Sequence, residues 1–376
     1  MKILMMCPYP LKRSLGGAKV YIENAENYRL LGHEVDLVGG DELTDVASGE
    51  LHFIDVYGDA LFNYIVENGE KYDVIEYEYL YLGRSRIDLP QKPLIVARAV
   101  LLELHLLKIT IPKFKTLRSF LGTLLKGKKR KNIFDRKIKR ALLSLSEADA
   151  ITVANSLDKE ALLENAIPEA KVVVAPYGIS QERLEALKTK REKQDVFRVG
   201  FVGTFDPRKG AVEFPHLWSR VLKAVPTAKL KLMGTSSMFP SAEAVKSHFP
   251  PSLRESIEVV ESFNADELPD LLRDCSCGVF PSYLESFGFG VLEMMAASLP
   301  VAAYDTPGPE MLLPRDWLAQ RGDYNVLAST LISWAKEPEK LERAQGQALE
   351  LSSKFDWPSS CEKALAFYSQ RRSEIK

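Results

Sequence analysis

Histidine and cysteine are scarce in this chain of 376 residues, five and four of them, and nowhere do they gather at the spacing of a metal site. Cys275 and Cys277 are close, but they lack the second pair or the histidines of a zinc site, and with Cys7 and Cys361 they read as reduced core thiols. No run of about 18 or more apolar residues is free of charge, which excludes a membrane-spanning helix. The opening run from Met1 to Cys7 is too short for a signal peptide, and Pro8 and Pro10 close it, so it reads as a buried strand. A cytoplasmic protein is expected, free or peripheral at a membrane. An excess of one charge is also missing: 50 basic residues against 51 acidic ones exclude a surface built throughout for nucleic acid.

What is present is an alternation of short apolar runs with longer helical patterns, the signature of parallel sheets covered by crossover helices. A chain of this length exceeds the size at which one core stops growing, so two domains are expected. The first series runs through Ile3 to Met6, Glu34 to Val38, Asp73 to Tyr77, Leu94 to Ala97, Ala150 to Val153 and Lys171 to Val174. Its first strand leads through Gly16-Gly17 into a helix from about Ala18 to Leu31, closed by Gly32. Residues 181–194 are mostly charged and read as a solvated helix or linker. The pattern restarts at Phe197 to Gly203 and continues through Ala228 to Gly234, Ile257 to Val260, Cys277 to Phe280 and Pro300 to Tyr304. The domains are therefore expected at 1–190, joined by 355–376, and at 191–354.

Between these strands lies a basic segment, 113–140, with Asp135 as its one acid and Phe114, Leu117, Leu121, Leu124 and Leu125 at helical spacing. Two readings stand: contact with an anionic membrane, where each Lys or Arg contributes about 1 kcal/mol, or a solvated helix with a basic loop. Nucleic acid ranks behind both, because no aromatic interrupts the densest charge run.

The chemistry gathers after the strand Cys277 to Phe280. A loop carries Glu285, Ser286, Phe287, Gly288 and Gly290 into a helix from Phe289 to Ala297, with Glu293 about one turn inside it. Ligands of open parallel sheets bind beyond the carboxyl ends of the strands, and the amides that open a helix attract phosphate. The two carboxylates, eight positions apart, could bracket a diphosphate and accept sugar hydroxyls; otherwise Glu285 only faces the helix dipole and Glu293 only solvent. Gly16 and Gly17 occupy a comparable edge, but without the third glycine of a dinucleotide fingerprint.

At these residues the chain resembles the retaining GT-B glycosyltransferases of family four. Glu285, Phe287, Gly288, Glu293, Met295-Ala296-Ala297 and Pro300-Val301 follow that family's order and spacing. So does the turn Gly203-Thr204-Phe205-Asp206-Pro207-Arg208-Lys209-Gly210, where Lys209 falls on the family's phosphate-binding lysine and Thr204 on its arginine. The resemblance implies an α/β fold of GT-B type: two facing Rossmann-like doubly wound parallel-sheet domains, with a C-terminal helix crossing back to the first near Trp357-Pro358. It implies Lys209 and Glu285 as catalytic residues. Gly16, Gly17, Gly203, Thr204, Arg208, Ser286, Phe287, Gly288 and Glu293 would join them around the donor; Arg208 either stands in for the missing arginine or faces solvent. On the acceptor side the family often has a histidine shortly after the strand Leu94 to Ala97; Val100 stands near that place, and Arg98, Glu103 and His105 are the nearby candidates. His105, in a Leu-rich run, reads first as a packed histidine and only second as a ligand or base, and Arg98 and Glu103 either contact sugar hydroxyls or pair with each other.

The function so implied is transfer of a hexosyl unit from a nucleotide sugar, a UDP-sugar ahead of a GDP-sugar, to an acceptor hydroxyl on a glycan, a lipid-linked sugar or a small molecule. No cofactor is expected. No Asp-x-Asp pair occurs, so Lys209 and helix amides would take the place of a metal at the diphosphate. A nucleotide-sugar epimerase on the same plan, or a nucleotide-sugar-binding scaffold with little turnover, are the alternatives.

Overall fold

The computed structural model describes residues 1–13, 15–47, 52–114, 117–188, 196–236 and 238–375, and of helix residues 117–131 the backbone alone. The side chains at the centre of the basic segment therefore lie outside the described residues, as does the expected boundary at 190/191. Contact density divides the chain into two units: Met1–Leu107, Phe120–Gly178 and Trp357–Lys376 form the first, Lys108–Ser119 and Ile179–Asp356 the second.

The first unit contains β1 (Lys2–Met6), α1 (Gly16–Leu30), β2 (Glu34–Val38), α2 (Phe53–Asn68), β3 (Val74–Glu78), β4 (Leu94–Ala99), most of α3 (Leu117–Glu147), β5 (Ala150–Val153), α4 (Ser156–Glu164) and β6 (Val172–Val174). All pairings are parallel, in the order β2-β1-β3-β4-β5-β6. Alternation along the strands sorts the core onto two faces. Leu4, Met6, Ile75, Tyr77, Ile95 and Ala97 pack with Phe53, Tyr57, Leu61 and Ile65 of α2 and with Ile138, Ala141 and Leu145 of α3. Ile3, Met5, Val74, Leu94 and Val96 pack on the opposite face with Tyr21 and Tyr28 of α1.

The second unit contains α5 (Gln181–Leu187), β7 (Arg198–Val202), α6 (Phe214–Ala224), β8 (Lys229–Met233), α7 (Ala242–Ser247), β9 (Ile257–Val260), α8 (Leu268–Leu272), β10 (Cys277–Phe280), α9 (Phe289–Ala296), β11 (Val301–Tyr304), α10 (Pro307–Leu312), β12 (Leu318–Ala319), α11 (Tyr324–Lys336) and α12 (Pro338–Ser352). Its sheet is again parallel, in the order β12-β11-β10-β7-β8-β9. The last helix, α13 (Trp357–Ile375), belongs to the first unit, where Cys361, Ala364, Leu365 and Tyr368 cover the α1 face. All four cysteines are buried and none forms a disulfide. Among the described residues no helix is long and apolar enough to cross a membrane.

Arg98, an acceptor-side candidate, is embedded in the α1 face of the first sheet and 1% exposed. Its guanidinium donates to both oxygens of Glu76 at 2.6 and 2.9 Å and to the Tyr28 hydroxyl at 3.1 Å, and Tyr368 of α13 donates to Glu76 at 2.7 Å. The ion pair thus ties β3, β4, α1 and α13 together, and it is not a pair with Glu103. Removing one member of a buried pair strands the other, at a cost of about 3–5 kcal/mol. Arg98→Met should lower the stability seen in urea unfolding by about that amount, and adding Glu76→Gln should restore part of it; a variant that unfolds like the parent would overturn this reading.

Candidate active site

In both sheets the strand order reverses next to one strand, and such a switch point opens a crevice at the carboxyl ends. In the second sheet the crevice lies between β7 and β10, paired as Val199 with Cys277 and Gly200 with Gly278. The turn after β7 is organised by Asp206, whose carboxylate accepts from the Thr204 hydroxyl at 2.7 Å and from the amides of Arg208 and Lys209 at 2.9 and 3.2 Å. Thr204, standing at the arginine place of the resemblance, therefore serves the turn. Gly210 ends it at φ +81°, and a Cβ there would lie 2.1 Å from the Pro281 carbonyl oxygen, so only glycine lets the turn rest on the loop that follows β10. The two loops are then bonded through the Arg208 carbonyl, which accepts from the Tyr283 amide at 2.8 Å and the Ser282 hydroxyl at 3.3 Å.

This contact brings Lys209 and Glu285 together. The ammonium and carboxylate form a direct ion pair, both side chains 14% exposed, with the ammonium 4.9 Å from the centre of the Phe280 ring. Burial pushes the Lys209 pKa down, Glu285 raises it, and the nearby Arg208 charge lowers it further. Arg208 donates to the Leu284 carbonyl at 3.4 Å, so a second cation stands at the same loop.

Gly288, at φ +91°, opens α9 with no side-chain cap, leaving the first-turn amides without a capping side chain. Ser286 and Phe287 are buried, Phe287 beside Phe289 and Phe355 with ring centres at 4.9 and 6.2 Å, so these two side chains shape the loop. Glu293 lies inside α9, 14% exposed, with the Arg183 guanidinium 3.5 Å away. Arg183 comes from the charged stretch read as a solvated helix or linker, and it also donates to the Ala265 carbonyl at 2.6 Å. Nothing local marks it; its position follows from how α5 packs on α8 and α9.

In the first unit the switch point lies between β1 and β3. Gly16 and Gly17 form the first turn of α1 rather than a loop before it, and the Tyr9 ring fills the space over Gly17. Glu103 binds Lys137 at 2.6 Å, and His105 meets the buried carboxylate of Asp158 at 2.7 Å; it is a packed, oriented histidine. Val100 is partly buried against the α1 face. The residue that sequence reasoning misses is Glu78, at the carboxyl end of β3. It is 4% exposed, accepts from the Val100 amide, and has its pKa pushed up by burial to about 8, against the pull of Arg98. Among the described residues no three acidic, histidine or cysteine side chains are placed to hold a metal ion.

Residues 196–337 match the glycosyl transferases group 1 family. The segment that builds the Lys209 and Glu285 arrangement lies within that match. An uncharacterized glycosyltransferase of Methanocaldococcus jannaschii is 25% identical over 235 residues, 57% of this chain. The chain spans 64% of that relative's length, less than two thirds of it. Among solved structures, a sucrose-phosphate synthase from Thermosynechococcus elongatus superposes with a TM-score of 0.73 at 19% identity over 98% of both chains. HepE of Anabaena, in complex with UDP and glucose, does so with a TM-score of 0.64 at 15% identity over 98% of this chain and 99% of its own. The fold is therefore the two-domain α/β fold of GT-B type.

Glu78 has a consequence for pH. The native state keeps its proton between the ordinary value of 4.5 and about 8, whereas the unfolded state releases it, so native stability falls as pH rises through that window. Glu78→Gln should remove this loss: its melting temperature should gain on the parent steadily from about pH 5 to about pH 8. A gap that does not change with pH would mean that Glu78 is ionised in the native protein.

Proposed function

We propose that the protein is a retaining glycosyltransferase that moves a hexosyl unit from a nucleotide diphosphate sugar to an acceptor hydroxyl, with protein cations serving the diphosphate. The observation that carries this reading is the Lys209 and Glu285 ion pair at the switch point of the second sheet, inside the segment that matches the family. A diphosphate over the first turn of α9 would meet helix amides and draw the Lys209 ammonium to it, with Arg208 as the second cation. Glu285, released from Lys209, would then accept a hydroxyl of the donor sugar, and Glu293 would take the ribose hydroxyls in exchange for Arg183.

The bond that breaks joins the sugar's anomeric carbon to the diphosphate oxygen; the one that forms joins the same carbon to the acceptor oxygen on the same face. The acceptor's proton passes to the departing phosphate oxygen, so no side chain has to take it. What the protein supplies is position and positive charge as the diphosphate gains negative charge. A UDP-sugar is the favoured donor, supported by the UDP held in the structurally similar HepE, with a GDP-sugar second. A glycan or lipid-linked sugar is the proposed acceptor, and contact of 113–140 with an anionic membrane remains part of the proposal.

Calorimetry with UDP and GDP, followed by assay of nucleoside diphosphate release from UDP-glucose with and without sugar acceptors, tests this. Lys209→Ala should reduce kcat by about 10²- to 10³-fold, the loss typical of a group that stabilises transition-state charge. Glu293→Ala should raise the Kd for the nucleotide about tenfold, equivalent to about 1.4 kcal/mol. Interconversion of the sugar without transfer would favour an epimerase. Unchanged binding and kinetics in both variants would remove the site.

A further inference from the structure

We propose that the first unit carries a binding site for a phosphate group, in the cavity framed by the start of α2, the turn after β3 and the second half of α3. The cavity has a volume of about 290 Å³ and is lined by Arg84, Arg136, Lys137, Lys139 and Arg140, with Asp55 as its acidic lining residue. The cations are partly matched: Arg84 binds Asp59 at 2.6 Å, Lys137 binds Glu103 at 2.6 Å, and Arg136 and Arg140 share Asp55 at 3.0 and 3.1 Å. Five cations thus face three carboxylates, an excess of two charges. A phosphate monoester carries about −1.5 to −2 at neutral pH.

The arrangement is built. Arg140 passes between two glycines: a Cβ on Gly58 would lie 1.9 Å from its Nη2, and one on Gly83 2.4 Å from its Cγ. Its Nε donates to the Tyr81 carbonyl at 2.7 Å, while Nη2 is enclosed with no acceptor. Burial lowers the Arg140 pKa, Asp55 and Asp59 raise it, and Arg84 and Arg136 lower it, so both signs of charge surround this cation. Arg84 lies over the Phe62 ring with its guanidinium carbon 5.0 Å from the ring centre. The exposed pairs, Arg84 with Asp59 and Arg136 with Asp55, contribute about 0–1 kcal/mol each, so they do not explain why an arginine frame gathers like charges around a cavity. An anion does. The cavity is below the usual size of a drug-sized ligand site, roughly 300–1,000 Å³, so it suits a phosphate with a small polyol or sugar attached and not a nucleotide sugar. A soluble phosphate ester and an anionic lipid headgroup share this chemistry.

The site does not depend on the donor reading, because all its residues lie in the first unit. Thermal unfolding of the full chain is followed in inorganic phosphate or glycerol 3-phosphate against chloride at matched ionic strength, and capture is measured on phosphatidylglycerol and phosphatidylcholine vesicles. The variants are Lys139→Ala, Arg84→Ala with Lys139→Ala, and Lys209→Ala. Phosphate should raise the melting temperature saturably in the parent and in Lys209→Ala. The double variant should need at least about ten times more phosphate for the same rise, with Lys139→Ala between, while its response to UDP stays that of the parent. A response to the soluble esters assigns a soluble ligand. Capture on phosphatidylglycerol alone, lost in the double variant, assigns a headgroup. If neither occurs, or if the double variant behaves as the parent does in both assays, the site is refuted.

Discussion

The second unit's site rests on one steric condition: the turn after β7 lies against the Pro281 carbonyl, and only a residue without a side chain can make that approach. From it follow the hydrogen bonds that lock Arg208 to the loop after β10, and from these the meeting of Lys209 with Glu285. Asp206 and Thr204 make the turn rigid, so the lysine is positioned by backbone and not by its own flexible stem. The cost of burying its charge is met by a carboxylate and an aromatic face.

The first unit treats charge differently. Arg98 and Glu76 are enclosed together and satisfied by tyrosine hydroxyls from helices far apart in sequence, so they act as a polar rivet between sheet and helices. Glu78, two residues further along β3, accepts from the Tyr21 hydroxyl at 3.4 Å and from the Val100 amide, and burial pushes its pKa up to about 8. Two carboxylates on one strand thus have different surroundings, one enclosed with an arginine and the other raised in pKa by burial.

Much of this is legible from the chain. Strands β1 to β11 stand out because each is a short β-branched or apolar run between breakers, while β12, with two residues, is below any periodic signal. Helix α2 carries Phe53, Tyr57, Leu61 and Ile65 on one face, yet it is not among the elements read from the sequence. The turn from Gly203 to Gly210 and the loop from Glu285 to Glu293 are readable because their chemistry is local. Partners set by tertiary packing are not: Arg98 lies nearest in sequence to Glu103, but β3 and β4 are neighbours, and the arginine reaches across to Glu76. Arg183 meets Glu293 and His105 meets Asp158 for the same reason.

In the second unit Lys209 and Glu285 balance each other, and that makes the site selective under the proposed function. A simple anion that approached Lys209 would have to displace Glu285 and leave a carboxylate behind with nothing to accept, so chloride or free phosphate gains little. A ligand that joins a polyanion to sugar hydroxyls replaces both halves at once. The ion pair then works as a two-key lock, turning only for a molecule that carries both chemistries at the right separation.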